Sequence, residues 1–312
     1  MKDGFININK PAGMTSHDVV NKLRRILGTK KVGHAGTLDP FATGVLPIAV
    51  GRATKFLEYL SNFDKSYRAE ILFGIETDTG DLTGNVIDVN DLRSEERGAS
   101  ASEEAITTLS LAELNDTIKH FHGTIKQTPP KYSAIKINGR KAYELARKNI
   151  DFELPSREVS IYKIEIVELG ENTLTIDVDC SKGTYIRTLA VDIGHSLGIP
   201  ATLKNLQRTR FGDFSIDNAT ILEEPEIVST DECLKHLPKF NLPIQRERAF
   251  VNGLSTTIRP NMTELEAIAD GTTFRVYVEN EFIGTGRAVD NELKAAKIYR
   301  QATEINFWQI VI

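Results

Sequence analysis

Residues 33 to 56 of the chain, GHAGTLDPFATGVLPIAVGRATKF, hold an aspartate in an unusually constrained loop. Pro40 follows Asp39 and favours an extended conformation for it. Three nearby glycines permit another backbone or a large ligand to approach closely. A carboxylate on such a stiff loop can act as a nucleophile at an electrophilic carbon, as it does at the anomeric carbon in glycosidases. Asp-Pro pairs also commonly start turns, so this stretch taken alone favours a turn aspartate.

Two distant residues are placed to complete a site around Asp39. Tyr67 stands at the start of a predicted strand, between Lys65 and Arg68. Its ring can stack on an extruded base and its hydroxyl can transfer a proton, although cross-strand packing explains it equally well. Arg187 lies in the first turn of a predicted helix, where a cation gains nothing from the helix dipole. An anionic partner such as Asp39 explains that placement, and the alternative is a surface arginine.

Other chemistries find little support in the motifs. Of the six histidines, only His120 and His122 are close, and no ligand-type residue accompanies them, which argues against a metal site. The chain has no GxxxxGK[ST], no GxGxxG between a strand and a helix, and no GxSxG. Cys180 and Cys233 lie far apart without CxxC spacing, which suits a reducing cytosol. We therefore expect no metal ion and a cytoplasmic protein.

Charge is unevenly distributed along the chain. The 312 residues carry a net charge of -5, which taken whole argues against a nucleic-acid binder. Residues 119 to 149, however, hold eight basic side chains against one acid, Glu144. Such a local basic surface can bind phosphates, and the alternative is a solvated charged face. The apolar runs are too short to span a bilayer, and the first residues lack the apolar segment of a secretory signal.

The elements that must position these residues form an α+β pattern. Alternating apolar residues predict strands in FININ and YRAEILFG, the apolar run VLPIAV predicts a buried strand, and VSIYKIEIVEL and NTLTIDVDC predict a hairpin. A helical period predicts helices in TSHDVVNKLRRILG, ATKFLEYL, LAELNDTIKHF and YIRTLAVDIGHSLG. Thr15 or Ser16 can cap the first helix, with Asp18 near its first N–H groups. After LPKFNLP, at residues 237 to 243, the runs TTFRVYV, EFIGTG and INFWQIVI predict a small β-rich domain.

Several long motifs resemble the TruB family of tRNA pseudouridine synthases. The resemblance begins in NKPAGMTSHDVV, GHAGTLDPFATGVLPIAVGRATKF and DKSYR. It continues through TPPKYSAIKINGRKAYELAR, CSKGTYIRTLAVDIGHSLG and LQRTRFGDF. These motifs stand in order over most of residues 4 to 214, which makes the signal specific. The tail from residue 240 resembles a PUA-type RNA-binding module through NGLSTTI and ADGTTFRVYV, and the alternative there is a generic small β-barrel.

The resemblance implies a fold and a domain organisation. The fold is a mixed, largely antiparallel sheet flanked by helices, followed by a small C-terminal PUA-like domain. The catalytic domain is expected at residues 1 to 239, with an RNA-binding insertion at about residues 123 to 155. The PUA-like domain is expected at residues 240 to 312.

The resemblance also implies a reaction without a cofactor, the isomerisation of the uridine at position 55 in the T loop of tRNA. The N-glycosidic bond breaks, the uracil turns, and C5 bonds to the sugar. Asp39 matches the catalytic aspartate, Arg187 its ion-pair partner, and Tyr67 the aromatic residue that stacks on the base and is implicated in removing the C5 proton. His34 matches a histidine linked to base extrusion, and Lys10 a lysine that supports the site.

The expected partner is the T arm of tRNA, bound by a monomer that requires no membrane or other protein. RNA contacts are expected from six residues of the resembling motifs: Lys131, Tyr132, Lys136, Arg140, Tyr185 and Arg208.

Three other functions remain open at this stage. A guide-dependent pseudouridine synthase of the archaeal and eukaryotic kind, acting on rRNA, shares GHxGTLDP, but PPKYSAIKINGRKAYELAR and the lack of Lys-rich tails favour the stand-alone type. A non-catalytic tRNA-binding or tRNA-folding protein is disfavoured by the intact Asp39, Tyr67 and Arg187. A base-releasing glycosidase is disfavoured because no second acid accompanies Asp39. The sequence leaves open whether Asp39 attacks the sugar carbon or removes a sugar proton.

Overall fold

Two sheets and two small hairpins organise the described part of the protein. The computed structural model describes residues 3 to 89, 111 to 133, 135 to 137, 139 to 148 and 150 to 299. The strand predicted in INFWQIVI lies outside these residues. Within the described ranges, no helix combines the length and the apolar character needed to cross a membrane.

The larger sheet carries the candidate site. Its nine strands are β1 (Gly4–Lys10), β2 (Val32–His34), β3 (Thr43–Val50), β4 (Lys65–Phe73), β7 (Gly123–Gln127), β10 (Arg157–Leu169), β11 (Thr173–Cys180), β12 (Ala201–Phe211) and β13 (Phe214–Ser215). The order is β1-β3-β12-β4-β11-β10-β7, with β2 beside β3 and β13 beside β12. All neighbours are antiparallel except β3 and β12, which pair in parallel. This confirms the expected α+β fold class with its mixed, largely antiparallel sheet.

Two hairpins project from this sheet. Their strands are β5 (Ile75–Thr77) with β6 (Val86–Val89), and β8 (Lys136–Ile137) with β9 (Arg140–Lys141). The first hairpin encloses the TDTGDLTG stretch, and the second lies in the basic run. Both therefore carry residues of functional interest outside the main sheet.

The helices connect the strands at the edges of the sheet. They are α1 (Ser16–Ile26), α2 (Leu111–Lys119), α3 (Ala142–Ala146), α4 (Ile186–Leu197) and α5 (Ile244–Val251), with 3₁₀ segments at Gly51–Leu60, Ile216–Asn218, Glu232–Leu234 and Pro260–Met262. Thr15 caps α1 and forms a capping box with Asp18, which confirms the predicted start of that helix. The predicted helix in ATKFLEYL is a 3₁₀ helix, and its ten residues make it unusually long for that type.

The main core fixes the two helices that flank the site. Val19 and Leu23 of α1 and Ile193 of α4 are fully buried against sheet residues such as Ile48 and Ile176. Each such side chain contributes about 2 kcal/mol by leaving water. The apolar faces of α1 and α4 thereby fix Ser16, which bonds the loop that carries Asp39, and Arg187, which lies in the first turn of α4.

A second sheet follows residue 238 and has its own core. Its strands are β14 (Lys239–Asn241), β15 (Thr256–Thr257), β16 (Thr273–Val278), β17 (Glu281–Val289) and β18 (Glu292–Ile298), in the order β14-β16-β17-β18-β15. Phe240, Phe250 and Phe274 are fully buried in it. This β-rich unit confirms the PUA-like part of the fold prediction.

An aromatic cluster joins the second sheet to the first. The Phe56 ring, on the long 3₁₀ helix, lies 5.9 Å from Phe282 and 6.0 Å from Tyr299, centroid to centroid. The Tyr59 hydroxyl bonds the Thr285 hydroxyl at 2.8 Å. Aromatic contacts of this kind stabilise a defined orientation between the two sheets.

Candidate active site

The loop that carries Asp39 connects β2 to β3 and is held by α1 and the chain before it. The buried Ser16 hydroxyl accepts the Leu38 N–H at 2.9 Å and donates to the Leu38 carbonyl at 3.2 Å. The Gly13 N–H donates to the Pro40 carbonyl at 2.8 Å. The residues on both sides of Asp39 are thus fixed by hydrogen bonds, and its backbone position is defined.

Lys10 is a fully buried cation beneath the same loop. Its ammonium donates to three carbonyl oxygens, those of Met14 (2.6 Å), Pro11 (2.9 Å) and Pro40 (3.2 Å). Burial lowers the pKa of Lys10 to about 8, although the negative charge of Asp39 opposes that shift. Lys10 therefore supports the loop through its backbone and places a positive charge near the Asp39 carboxylate.

Two glycines allow β12 to lie directly against the loop. Gly44 has a φ of +100°, and a Cβ there would lie 2.2 Å from the Arg208 carbonyl oxygen. Gly36 has a φ of +70°, and a Cβ there would lie 2.7 Å from the Phe211 ring. Both positions exclude a side chain, as the sequence predicts for a loop approached closely by another backbone.

Arg187 links Asp39 to a second aspartate. Its Nε lies 3.0 Å from Asp39 Oδ2, and its Nη1 lies 3.4 Å from Asp81 Oδ2. The same guanidinium donates to the Thr79 carbonyl at 2.9 Å and to the Tyr132 carbonyl at 3.0 Å. The Arg187 side chain is 6% exposed, whereas 35% of the Asp39 side chain remains exposed. One buried guanidinium therefore orients a carboxylate that still faces solvent.

Asp81 is part of the site although the sequence analysis did not single it out. It is buried, and its Oδ1 accepts the Thr83 N–H at 2.9 Å and the Thr79 hydroxyl at 3.0 Å. The remaining oxygen is left for Arg187. The available signal was the TDTGDLTG stretch, in which threonines and glycines surround one aspartate.

The charges around Asp39 act on its pKa in opposite directions. Burial raises the pKa of the Asp39 carboxyl above its usual value, and the nearby Asp81 charge adds to that rise. Arg187 and Lys10 oppose it, since both favour the carboxylate. The two cations therefore favour the ionised form of this partly desolvated carboxylate.

Tyr67 and Arg208 form a buried pair beside this centre. They are opposite each other in the β4–β12 ladder, and their exposed fractions are 8% and 1%. Arg208 donates from Nε to the Val45 carbonyl at 2.7 Å and from Nη2 to the Gly36 carbonyl at 3.1 Å. Arg208 was expected to contact RNA, and its guanidinium is enclosed by the sheet and the Asp39 loop.

Comparison with known proteins decides the family. Residues 24 to 186 match the model described as TruB family pseudouridylate synthase (N terminal domain). A tRNA pseudouridine synthase B of Clostridium kluyveri is 42% identical over 95% of this chain and 99% of its own length. A second protein of that name, from Alkaliphilus oremlandii, is 43% identical over 96% of this chain and 98% of its own. The chain belongs to the TruB family. The resemblance found in the sequence motifs is thereby confirmed.

Solved structures support the fold of this TruB-family chain. An archaeal box H/ACA sRNP Nop10-Cbf5 complex contains a chain that matches with a TM-score of 0.67 at 23% identity. The match covers 96% of this chain and 86% of that one. At this identity the similarity shows the shared pseudouridine synthase fold and nothing about partners.

His34 lies at the end of β2, next to the Asp39 loop, and is half-buried. Burial lowers the pKa of its imidazole, and the positive charge of Arg208 acts in the same direction. Among the described residues, its Nδ1 is buried without a hydrogen-bond partner. Both effects favour the neutral imidazole at this position next to the Asp39 loop of the TruB-family protein.

The predicted RNA-binding residues of the insertion differ from one another in exposure. Lys136 and Arg140 are exposed on the β8–β9 hairpin, and Lys131 is also exposed. Lys131 Nζ lies 3.5 Å from Asp151, but both side chains are so exposed that this pair contributes little. Tyr132 is half-buried, and its carbonyl is the one bonded to Arg187.

Tyr185 immediately precedes α4, two residues before Arg187. Its N–H donates to Gln127 Oε1 at 3.0 Å, and its carbonyl accepts from Gln127 Nε2 at 3.2 Å. The Arg157 guanidinium lies 4.7 Å from the centre of its ring. The ring is only partly buried and remains accessible. Within the described residues, no group of three or more His, Cys, Asp or Glu side chains could hold a metal ion.

Proposed function

We propose that this TruB-family protein isomerises the uridine at position 55 in the T loop of tRNA to pseudouridine, with Asp39 as the catalytic carboxylate. Tertiary structure, family membership and the names of relatives about 40% identical support this reaction. The observation that carries the assignment of Asp39 is its ion pair with Arg187. A carboxylate that faces solvent and is oriented by a buried guanidinium suits reaction with one sugar.

The contacts around Asp39 indicate what Arg187 and Lys10 contribute to the reaction. Arg187 and Lys10 oppose the burial that raises the pKa of Asp39, so both favour the anionic form that the reaction uses. Breaking the N-glycosidic bond leaves its electron pair on the uracil, which turns and bonds to the sugar through C5. No water needs activation, so a single carboxylate suffices, in contrast to hydrolysis by two acids. Both attack on the sugar carbon and removal of a sugar proton are compatible with the position of Asp39.

Tyr67 is the proposed stacking partner of the target base. Its buried ring stands at the start of β4, at the edge of the site, and base stacking on an aromatic ring favours an extruded nucleotide. Extrusion from the T loop costs a few kcal/mol, which such contacts offset. His34, with its half-buried neutral imidazole, is the proposed residue for occupying the space that the base leaves.

The tRNA-binding surface is proposed to extend beyond the catalytic centre. The insertion at about residues 123 to 155 offers the exposed Lys131, Lys136 and Arg140 to phosphates of the T arm. The PUA-like domain, proposed for residues 240 to 312 after a catalytic domain of residues 1 to 239, adds a second RNA-binding unit. The proposal includes action as a cytoplasmic monomer without a guide RNA or protein partner.

The test incubates the full chain with unmodified tRNA alone and maps pseudouridine at single-nucleotide resolution. We expect product at position 55 with the native protein and none with Asp39→Asn. Asp177→Asn serves as the matched control, because Asp177 is a half-exposed partner of Arg68 on the sheet surface. We expect that control to retain full activity.

Several outcomes would overturn the proposal. Product only at another position would contradict the assigned target, and full activity of Asp39→Asn would contradict the assigned carboxylate. Tight tRNA binding without any product would favour the non-catalytic alternative. Product that appears only after addition of a guide RNA would favour the guide-dependent alternative.

A further inference from the structure

Arg208 is a buried cation that has no carboxylate partner within ion-pair distance among the described residues. Its Nε and Nη2 donate to the carbonyls of Val45 and Gly36, as described above, and its Nη1 lies 3.5 Å from the Thr37 carbonyl oxygen. Neutral carbonyls satisfy its N–H groups but do not cancel its charge. A buried arginine is rare unless it is paired, so this one calls for a functional explanation.

The group opposite Arg208 is the hydroxyl-bearing side chain of Tyr67. The two residues are paired across β4 and β12, and both side chains enter the same buried face of the sheet. The carbonyls of Val45, in β3, and Gly36, in the Asp39 loop, fix the guanidinium, so its position does not depend on Tyr67. The Arg208 side chain is therefore held in place before any substrate arrives.

The charged and titratable groups that act on Tyr67 come from three elements. Burial raises the pKa of the Tyr67 hydroxyl, while the nearby Arg208 guanidinium, from β12, opposes that rise. Cys180 from β11 and Asp39 from the loop act in the raising direction. Burial raises the pKa of the Cys180 thiol to about 12, so it is neutral near pH 7. Arg208 is thus the cation that favours a Tyr67 phenolate.

We propose that Arg208 is a positioning residue, which holds the Tyr67 hydroxyl and stabilises its phenolate form during the transfer of the uracil C5 proton. This inference rests on the proposed isomerisation and goes beyond it by assigning a role to a residue that does not touch RNA. The unpaired guanidinium supplies positive charge beside the Tyr67 oxygen, where negative charge develops. A carboxylate beside Arg208 would cancel that effect, which explains why the residue is surrounded by carbonyl oxygens.

The proton balance of the step closes without another reactant. The detached uracil carries the electron pair of the broken bond, and its N1 takes the Tyr67 hydroxyl proton to leave a phenolate beside Arg208. After C5 bonds to the sugar, the phenolate takes the proton from C5 and becomes a phenol again. The product has gained one proton at N1 and lost one at C5, so the reaction remains an isomerisation.

A double-mutant cycle on single-turnover rates of pseudouridine formation tests the assignment. The proteins are the native chain, Arg208→Lys, Tyr67→Phe and the double variant, all measured with saturating enzyme. We expect Arg208→Lys to slow the native chain by about a hundredfold, within the usual range for proton transfer by a positioned side chain. It should slow Tyr67→Phe by no more than about twofold, because residues that act through one group are not additive.

Arg210→Lys is the matched control on the same strand. Arg210 is half-exposed, donates to the Ser66 hydroxyl at 2.9 Å and lies two residues from Arg208. We expect this variant to react at the native rate. An equal loss from Arg208→Lys in the native and Tyr67→Phe backgrounds would show a merely structural role and overturn the inference.

Direct titration of Tyr67 keeps the inference testable if the Arg208 variant is too slow for kinetics. The readout is the ¹³Cζ NMR signal of labelled tyrosine, assigned by its absence in Tyr67→Phe. We expect Arg208→Lys to raise the pH at which Tyr67 ionises by about one unit, and Arg210→Lys to leave it unchanged. An unchanged Tyr67 titration in a folded Arg208→Lys protein would also overturn the inference.

The two failures are distinguishable from each other. If the native protein forms no pseudouridine in tRNA, the proposed function fails, whereas the NMR titration still reports on the Arg208–Tyr67 interaction. If the native protein is active and the cycle is additive, only the inference fails.

Discussion

The active centre and the basic insertion differ in how they hold their charged side chains. In the centre, Arg187 is 6% exposed and is bonded to two carboxylates and two carbonyls. In the insertion, Lys131 is 62% exposed and its partner Asp151 is 97% exposed. The first arrangement fixes one geometry, while the second leaves long side chains free to adapt to a phosphate backbone.

The difference in burial suits the charges of the two regions to two different purposes. Reaction with one sugar carbon requires a carboxylate placed to within a fraction of an ångström, which only a buried network supplies. Binding of phosphates tolerates mobile cations, because the gain comes from charge neutralisation and the release of counterions. Substitutions in the two regions should therefore change different measured quantities.

Among the residues that hold Asp39 in place, the largest effect should come from Asp81→Asn. The amide would direct a donor at Arg187 in place of an acceptor, which disturbs the guanidinium that orients Asp39. We expect the single-turnover rate to fall about a hundredfold while tRNA affinity stays unchanged. Asp151→Asn is the control from the insertion and should leave the rate at the native value. A similar loss from both variants would remove the distinction between the regions.

A smaller effect is expected from Ser16→Ala, which removes both hydrogen bonds to Leu38. Two buried backbone groups next to Asp39 would lose their partner, at a cost of about 1–3 kcal/mol in the free energy of unfolding. We expect the rate to fall about tenfold because the Asp39 loop is less well positioned. Ser196→Ala, which removes an exposed helix contact to Asp192, is the control for urea denaturation and for kinetics. Native activity in Ser16→Ala would show that the two hydrogen bonds between Ser16 and Leu38 are not needed to position Asp39.

Substitutions in the insertion should change tRNA binding and leave the reaction rate unchanged. We expect Lys131→Ala combined with Arg140→Ala to weaken tRNA binding roughly fivefold and to lower the salt slope by about two. The rate at saturating protein should remain native, because neither side chain reaches Asp39. Filter binding over a range of salt concentrations measures the slope. An unchanged slope with a reduced rate would place these cations in the chemistry rather than in phosphate binding.

The last effect is on stability rather than on rate or binding, and it concerns pH and the buried Lys10. Its pKa in the folded protein is about 8, below the ordinary 10.5 of the unfolded chain. Between these values the unfolded chain binds more protons, so this group makes the free energy of unfolding rise with pH across that window. Lys10→Met should remove that part of the rise, while Lys22→Met, at a partly exposed position, should keep it. Urea denaturation from pH 7 to pH 10.5 measures the difference, and identical slopes would contradict it.

Much of the fold and part of the site follow from local sequence. Alternation and capping give β3, β4, α1 and the β10–β11 hairpin, because those signals are contained within each segment. The proximity of Asp39 to Arg187 was predicted because a cation in the first turn of a helix needs an anionic partner.

The residues that were missed or misassigned depend on tertiary contacts. Ser16 is a good cap on sequence grounds, yet its hydroxyl bonds Leu38, and Thr15 is the cap. Asp81 resembles any turn aspartate until α4 brings Arg187 to it. Arg208 was expected to contact RNA because it lies in a motif of the family resemblance, and its burial depends on carbonyls that converge only when β3 and β12 pair in parallel.

The carbonyl of Tyr132 accepts a hydrogen bond from the guanidinium that also holds Asp39. The insertion and the carboxylate therefore share one donor group, so the free energies of their arrangements are linked. If docking of RNA on the insertion strengthens the Tyr132 contact, the ordered Asp39 carboxylate must favour docking to the same extent. Under that condition, RNA binding on the insertion and ordering of the Asp39 carboxylate would stabilise each other.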